Sequence, residues 1–170
     1  MNYEKLFTPM KIGKMEVKNR LSFSPMGTNS AFTNGRKDEQ EIDYFIRRAK
    51  GGVGMIVNGC QMLNEAIAQG SMEGYLDSYS VLPALTSMVD GVHRYGARII
   101  CQISPGTGRN AFPDTNGNPP MSASAIPSAF DPNVICHALT KDEISNIMKM
   151  TEFAAGVARD AGYDGIEIHA

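Results

Sequence analysis

Three times along this chain, a helical pattern ends at glycine and a short apolar strand follows at once. The three junctions are Lys50-Gly51-Gly52, Tyr95-Gly96-Ala97 and Ala161-Gly162-Tyr163. Each apolar strand then ends in small or polar residues. Alternating helices and strands predict a parallel sheet with right-handed crossover connections. The repeat therefore indicates an α/β fold, either a barrel or an open doubly wound sheet.

Apolar spacing predicts four main strands, at 21–26, 53–57, 98–103 and 164–169. Helices are predicted to begin at Asp38, Ser80 and Thr140, whose side chains can accept hydrogen bonds from the first helical turn. Glu41 and Glu143 follow Asp38 and Thr140 at capping-box spacing. Before the first strand, Ile12-Gly13-Lys14-Met15 predicts a hairpin that caps one end of the sheet.

The length of the chain is used to choose between a barrel and an open doubly wound sheet. A complete (β/α)₈ barrel needs on the order of 250 residues, whereas this chain has 170 and stops after its fourth predicted strand. We therefore predict that residues 1–170 are the N-terminal half of a (β/α)₈ TIM barrel, with about four βα units and the hairpin cap. An open half-barrel exposes two strand edges and apolar surface, so we expect it to self-associate.

Charge and composition narrow the class of protein. The net charge of -2 and the lack of a basic cluster argue against a nucleic-acid or acidic-membrane partner. No apolar run is long enough to span a bilayer, and residues 1–5 lack a signal-peptide core, so a cytoplasmic location is expected. Cys60, Cys101 and Cys136 have no Cys-x-x-Cys spacing, which predicts reduced thiols and no metal or cluster site.

The polar strand ends are the candidate site. They are the segments Ser24-Pro25-Met26-Gly27-Thr28, Asn58-Gly59-Cys60, Gln102-Ile103-Ser104 and His169-Ala170. Pro25 cannot donate to a sheet ladder, and Gly27 can take backbone angles that other residues avoid. Such an end leaves backbone N–H groups free for a flat ligand with a polar edge. Four ends of one kind predict one shared mouth.

Two side chains at this mouth could carry chemistry. The Gln102 amide offers both a donor and an acceptor, which suits a flavin pyrimidine edge, although a core Gln bonded to neighbouring backbone is the simpler interpretation. His169, with Glu167 on the same face, could bond a substrate oxygen, but a structural His is commoner at such a position. His93 and His137 are interpreted as structural and without acid partners. The run 36–39 is interpreted as solvated charge.

Taken in order, several segments resemble the old yellow enzyme family of flavin-dependent ene-reductases. They are Leu6-Phe7-Thr8-Pro9-Met10-Lys11-Ile12-Gly13, Val17-Lys18-Asn19-Arg20-Leu21, Ser24-Pro25-Met26-Gly27, Lys50-Gly51-Gly52-Val53-Gly54-Met55-Ile56 and the segment 161–170. The resemblance covers essentially the whole chain. It is nearest to the branch that includes 2,4-dienoyl-CoA reductases and bacterial bile-acid or steroid enone reductases.

The resemblance implies a (β/α)₈ barrel that binds FMN at its C-terminal mouth and takes reducing equivalents from NAD(P)H. Carried over by position, the backbone of 25–27 with Thr28 would border the flavin, and Gly59 and Cys60 would flank it. Gln102 would bond the pyrimidine edge. His169 would be the first of two donors to the carbonyl of an enone, enoate or dienoyl thioester.

The resemblance also implies parts that this chain does not contain. The second carbonyl donor, the proton-donating Tyr and the phosphate-binding loops would lie beyond Ala170. So would any iron–sulfur cluster and FAD domain. We therefore expect residues 1–170 alone to be inactive and to hold no FMN. The alternatives are a flavin-dependent amine dehydrogenase of the same barrel and a non-catalytic half-barrel that binds only a partner.

Overall fold

The computed structural model describes residues 3–28, 37–68, 73–111 and 117–169. Its strands are β1 Met10–Ile12, β2 Met15–Val17, β3 Ser22–Phe23, β4 Met55–Met62, β5 Arg98–Ser104, β6 Met121–Ser122, β7 His137–Ala138 and β8 Gly165–Ile168. Its helices are α1 Glu39–Lys50, α2 Leu82–His93 and α3 Lys141–Asp160. Arg36, the first residue of the predicted charge run, and Ala170 lie outside the described residues.

The centre of the fold is a four-stranded parallel sheet in the order β3-β4-β5-β8. The hairpin of β1 and β2 precedes it and is antiparallel, as the sequence predicted. The long connection between β5 and α3 holds the short parallel pair β6 and β7. Because all four central strands run the same way, their carboxyl ends lie at one edge of the sheet.

The two central strands that differ most from their predicted bounds are β3 and β4. β3 has only two residues, because Pro25 lacks the N–H that would extend its ladder. β4 runs on to Met62, where it pairs with both Ser104 and Tyr75. Its register against β5 shifts between Asn58 and Gln61. Gly59 and Cys60 therefore lie inside an irregular strand and not after its end.

The three helices begin in three different ways. Asp38 caps α1, since its Oδ1 accepts the Glu41 N–H at 2.8 Å, but the Glu41 carboxylate pairs with Lys37 and does not complete a capping box. Thr140 and Glu143 form the full box predicted for α3. The Ser80 cap was wrong: a 3-10 turn over Tyr79–Val81 leads directly into α2, without a side-chain cap.

One face of the sheet carries the helices. In β5, Ile99, Cys101 and Ile103 belong to the core beneath them, whereas Ile100 and Gln102 alternate onto the opposite face. Each fully buried aliphatic or aromatic side chain contributes roughly 1.5–3 kcal/mol to folding. The largest such side chains in this core are Phe45, Ile56, Leu63, Leu76, Leu85, Met88 and Ile99.

The amino end of the sheet is closed by Asp164. Its carboxylate accepts hydrogen bonds from the Ile99 N–H at 2.8 Å, from Arg98 at 2.9 Å and from His93 at 2.7 Å. His93 therefore has an acid partner, contrary to the sequence interpretation. That partner is remote in sequence, so helical position alone could not reveal it.

Two other charged residues also correct the sequence interpretation. His137 lies 3.0 Å from both carboxylate oxygens of Glu143, so it too has an acid partner. Lys37 is not solvated, because its ion pair with Glu41 leaves both side chains only 2% exposed. Within the predicted charge run, the Lys37 side chain is therefore buried in an ion pair, whereas Asp38 and Glu39 are exposed as expected.

The outer side of β8 is open. Ile166 and Ile168 are about half exposed, and Met148 on the neighbouring helix α3 is 67% exposed. No strand pairs with the outer edge of β8 among the described residues. This apolar edge has the character that the half-barrel prediction requires.

Candidate active site

The predicted site residues lie at the carboxyl edge of the parallel sheet, which we call the rim. It comprises Pro25–Thr28 after β3, Gly59 and Cys60 in β4, Gln102 in β5 and His169 after β8. Irregular backbone at the carboxyl ends of parallel strands is where α/β proteins hold ligands and catalytic groups. The rim therefore joins residues from all four strands of the sheet.

Gly59 is the point of closest approach at the rim. A Cβ atom there would overlap the Gln102 carboxamide oxygen and would lie 2.8 Å from Pro25 Cβ. Such distances are far below van der Waals contact, so no other residue fits without displacing its neighbours. The structure thus brings the middle of β4 into direct contact with both adjacent strands.

Gln102 is buried, and its bond is to a side chain. Its Nε2 donates to Glu167 Oε1 at 2.6 Å, from the position directly opposite on β8. The sequence associated Glu167 with His169, whereas the structure joins it to Gln102. The pair presents a carboxamide and a carboxylate side by side on the sheet face away from the helices.

His169 stands at the end of β8. Its backbone N–H donates to Ile103 O at 2.9 Å, which fixes the residue next to the end of β5. The residue itself is exposed. An imidazole has at least one N–H donor in either tautomer, so His169 can offer a hydrogen bond to a carbonyl oxygen above the rim.

The backbone after β3 is accessible. Pro25, Met26 and Gly27 are exposed, and the Met26 sulfur accepts the Tyr44 hydroxyl of α1 at 3.7 Å. This contact draws the Met26 side chain toward the helix and leaves the main chain at the rim. Thr28 is half-buried beside it.

The reason for glycine at position 27 differs from the one expected. Gly27 does not have a positive φ, so its backbone would accept other residues. A Cβ there would instead overlap Oε1 of Glu73 and lie 3.2 Å from Glu73 Cδ. Glu73 is a rim residue that the sequence analysis missed. It follows a long connection after β4, and no periodic pattern marks it.

Cys60 occupies the irregular part of β4, after a cis Gly59–Cys60 peptide bond. Burial raises the pKa of its thiol, and the negative charge of Glu73 raises that pKa further, although Lys37 opposes it. The group is therefore a neutral thiol at neutral pH. It is suited to flanking a ligand and not to acting as a nucleophile.

Asn58 does not line the mouth, contrary to the sequence prediction. Its side chain is on the helix-covered face, where Oδ1 accepts the Tyr163 hydroxyl at 2.8 Å. Burial raises the pKa of Tyr163 well above its usual range, so this hydroxyl remains a donor. Within the described part of the chain, Asn58 Nδ2 and Gln61 Nε2 are buried without a hydrogen-bond partner.

Another concave site lies away from the rim. A cavity of about 260 Å³ separates α3 from the segment that follows β4. It is lined by Leu63, Asn64, Leu76, Asp77, Lys149, Met150 and Phe153.

Over the described ranges, no three His, Cys, Asp or Glu side chains come together as a metal site. Among the helices of the described residues, none is long and apolar enough to cross a membrane.

Comparison with known proteins agrees with this geometry. A sequence model of the NADH:flavin oxidoreductase / NADH oxidase family matches residues 5–170. Cinnamate reductase from Clostridium sporogenes is 35% identical, over 99% of this chain and 26% of that enzyme. The chain thus spans about a quarter of the length of this relative.

Solved structures show the same fold. Old yellow enzyme from Pichia sp. superposes with a TM-score of 0.84 at 26% identity, over 97% of this chain and 45% of that one. 2-Naphthoyl-CoA reductase, in complex with 2-naphthoyl-CoA, gives 0.85 at 29% identity, over 98% of this chain and 27% of that one. The predicted fold, one half of a (β/α)₈ barrel, is confirmed by this likeness.

Proposed function

This chain belongs to the NADH:flavin oxidoreductase / NADH oxidase family, that of old yellow enzyme, and from that premise we propose that it forms the N-terminal half of the FMN-binding barrel of an ene-reductase. The complete protein would use NAD(P)H to reduce an activated C=C bond. The observation that carries the proposal is the rim, where Pro25, Gly59 and Gln102 are packed in contact and His169 ends the next strand.

The residues at the rim fit an isoalloxazine ring. The contact of Gly59 with Gln102 and Pro25 leaves no side chain of β4 projecting between them, which suits a planar group lying across the strands. The Gln102 carboxamide and its Glu167 partner supply both acceptors and a donor for a pyrimidine edge. The accessible backbone of 25–27 would border the ring on the β3 side.

FMN supplies the redox chemistry when bound, since it accepts hydride from a nicotinamide and transfers it to the β-carbon of the alkene. The task of this chain is to hold and orient the reactants. His169 would donate a hydrogen bond to the substrate carbonyl and stabilise the negative charge that develops on its oxygen. The proton for the α-carbon would come from the other half of the barrel.

The proposed substrate class is an α,β-unsaturated carbonyl compound, namely an enone, an enoate or an unsaturated thioester. A single hydrogen-bond donor such as His169 polarises the carbonyl of all three. Support for an enoate comes from cinnamate reductase, because cinnamate is an α,β-unsaturated carboxylate.

A spectroscopic experiment tests the function. The full-barrel protein, meaning a protein that contains residues 1–170 and the remaining half of the barrel, is purified and its flavin absorbance recorded. We expect NAD(P)H to bleach the flavin band, and cinnamate or a cyclic enone to restore it without oxygen. Bleaching by amines alone would instead identify a dehydrogenase of C–N bonds.

The same experiment addresses the role of the half-barrel. We propose that residues 1–170 alone hold no FMN, because half of the strands around the cofactor are absent and β8 has an open apolar edge. Gel filtration of the isolated chain with FMN should separate the two, while the full-barrel protein retains a stoichiometric amount. Retention by the isolated chain would contradict this proposal.

A further inference from the structure

Glu73 and Gly27 are far apart in sequence but share one volume at the rim. The Glu73 carboxyl group fills the space in which a side chain at position 27 would begin. The φ angle of Gly27 is compatible with any residue, so the Glu73 carboxyl group, and not the backbone conformation, is what a side chain at position 27 would meet. The Glu73 carboxyl group thus occupies the volume that a side chain at position 27 would take.

The position of Glu73 is fixed by the backbone that follows it. The Met62 N–H donates to Gly74 O at 2.8 Å, and the Leu76 N–H donates to Met62 O at 2.9 Å. These bonds attach the segment 73–76 to the last residue of β4. Glu73 is only 7% exposed, so it is buried where its carboxyl group meets Gly27.

Glu73 also has an electrostatic effect on the irregular part of β4. Its negative charge acts on the Cys60 thiol, on which Lys37 acts with the opposite sign. Lys37 is itself paired with Glu41. Glu73 therefore meets the end of β3 at Gly27 and acts electrostatically on Cys60, and both residues are proposed to border FMN.

Resting on the proposed function, we propose that Glu73 is a cofactor-tuning residue, whose carboxylate borders FMN beside Gly27 and opposes reduction of the flavin. Hydride transfer to FMN adds one negative charge to its ring. A carboxylate fixed nearby in a poorly solvated site repels that charge and so lowers the equilibrium amount of reduced flavin. The effect differs from a packing role, because it depends on charge and not on shape.

The first test removes the charge and keeps the shape. In the full-barrel protein, E73Q is compared with wild type by reducing FMN in equilibrium with a redox dye. We expect the ratio of reduced to oxidised FMN at a given dye ratio to rise about tenfold, which is about 30 mV for a two-electron couple. The FMN dissociation constant should change by less than about threefold. E65Q, an exposed carboxylate just after β4, is the charge control and should leave the ratio unchanged.

The second test removes the steric conflict in a double-mutant cycle. G27A places a Cβ against Glu73, and we expect FMN affinity to fall at least about tenfold. G27A/E73A should bind FMN within about threefold of E73A, because the conflicting carboxyl group is gone. G156A on α3 is the glycine control, since a Cβ there meets nothing within 4 Å. If the effects of G27A and E73A on FMN affinity are additive, the claim that Glu73 and a side chain at position 27 compete for one volume is wrong. If G27A does not fold, E73Q still decides the charge effect.

The outcomes separate this inference from the function it rests on. A folded full-barrel protein that holds no FMN overturns both. If wild type holds FMN and E73Q gives the same reduction ratio, the role of Glu73 alone is overturned. A tenfold rise in E73Q with no change in E65Q supports the assignment.

Discussion

The two ends of the parallel sheet differ in how completely their polar groups are hydrogen-bonded. At the amino end, Asp164 receives hydrogen bonds from His93, Arg98 and the Ile99 N–H. There also, Asn19 accepts the Leu21 N–H and donates to Gly52 O. The amino end is thus a closed network within the chain itself.

The carboxyl end is closed less completely. Close to it, Asn58 Nδ2 and Gln61 Nε2 are buried without partners within the described residues. Gln102 is bonded to an exposed residue on the edge strand. In barrel enzymes, the amino ends of the strands serve stability and the carboxyl ends serve chemistry. The difference between the two ends of this sheet follows the same division.

The largest loss of stability should come from the amino end. D164A removes the hydrogen-bond acceptor that the Ile99 N–H, His93 and Arg98 share. The Arg98 side chain is 41% exposed. We expect the free energy of unfolding to fall by about 3 kcal/mol, mostly from the unsatisfied groups. Urea denaturation measures this value. D160A is the control, because the Asp160 carboxylate pairs with the exposed Arg159 at the end of α3, and this variant should cost less than about 0.5 kcal/mol. Equal effects of the two variants would contradict the structural role of the amino end.

The next largest effect tests the buried bond behind the rim. Y163F removes the hydroxyl that Asn58 Oδ1 accepts, leaving a buried amide with neither of its polar atoms bonded. We expect a loss of about 1–2 kcal/mol in urea denaturation. Y163F/N58L should recover most of it, because an apolar side chain has no polar group to leave unsatisfied. A double variant as unstable as Y163F would show that the loss does not come from the unsatisfied Asn58 amide.

Sequence reasoning was accurate where the structure depends on local order. The glycine junctions predicted the parallel sheet, and the Thr140–Glu143 spacing predicted the start of α3, because both depend on residues close in sequence. Ser80 failed as a cap, because the 3-10 turn at Tyr79–Val81 continues directly into the helix. Local patterns compete there, and the sequence alone does not decide between them.

Contacts between distant segments could not be predicted in the same way. The pairing of His93 with Asp164 depends on how α2 lies against the start of β8. The meeting of Glu73 with Gly27 depends on a long connection that returns to the end of β4. The rim could be predicted as a set of strand ends, but its closest contacts required the three-dimensional arrangement.

A smaller effect should appear in acid at the start of α3. Hydrogen bonds from the Thr140 backbone, from His137 and from the Thr140 hydroxyl lower the pKa of Glu143 from 4.5 to about 2. A carboxyl group with a lowered pKa stabilises the folded state above its unfolded pKa, and this contribution disappears as pH falls through the folded pKa. The stability difference between wild type and E143Q should therefore shrink between pH 4.5 and pH 2. E152Q, an exposed carboxylate in the middle of α3, should show no such trend. A difference that stays constant with pH would contradict the role of the cap.

The smallest effect on stability is expected at the rim, together with a large effect on activity. His169 is exposed, and the bond that fixes it to Ile103 uses its backbone N–H, which an alanine retains. H169A should therefore change the free energy of unfolding by less than about 0.5 kcal/mol. If the imidazole donates to the developing oxyanion, turnover of an enone by the full-barrel protein should fall by about 10²-fold. H137A supplies the matched control, since that His lies in β7, away from the rim, and its side chain pairs with Glu143 of the helix cap. FMN reduction by NAD(P)H should stay unchanged in H169A, because the donor acts on the alkene substrate. A loss of stability without a loss of turnover would place His169 with the structural residues of the amino end and would remove the contrast between the two ends.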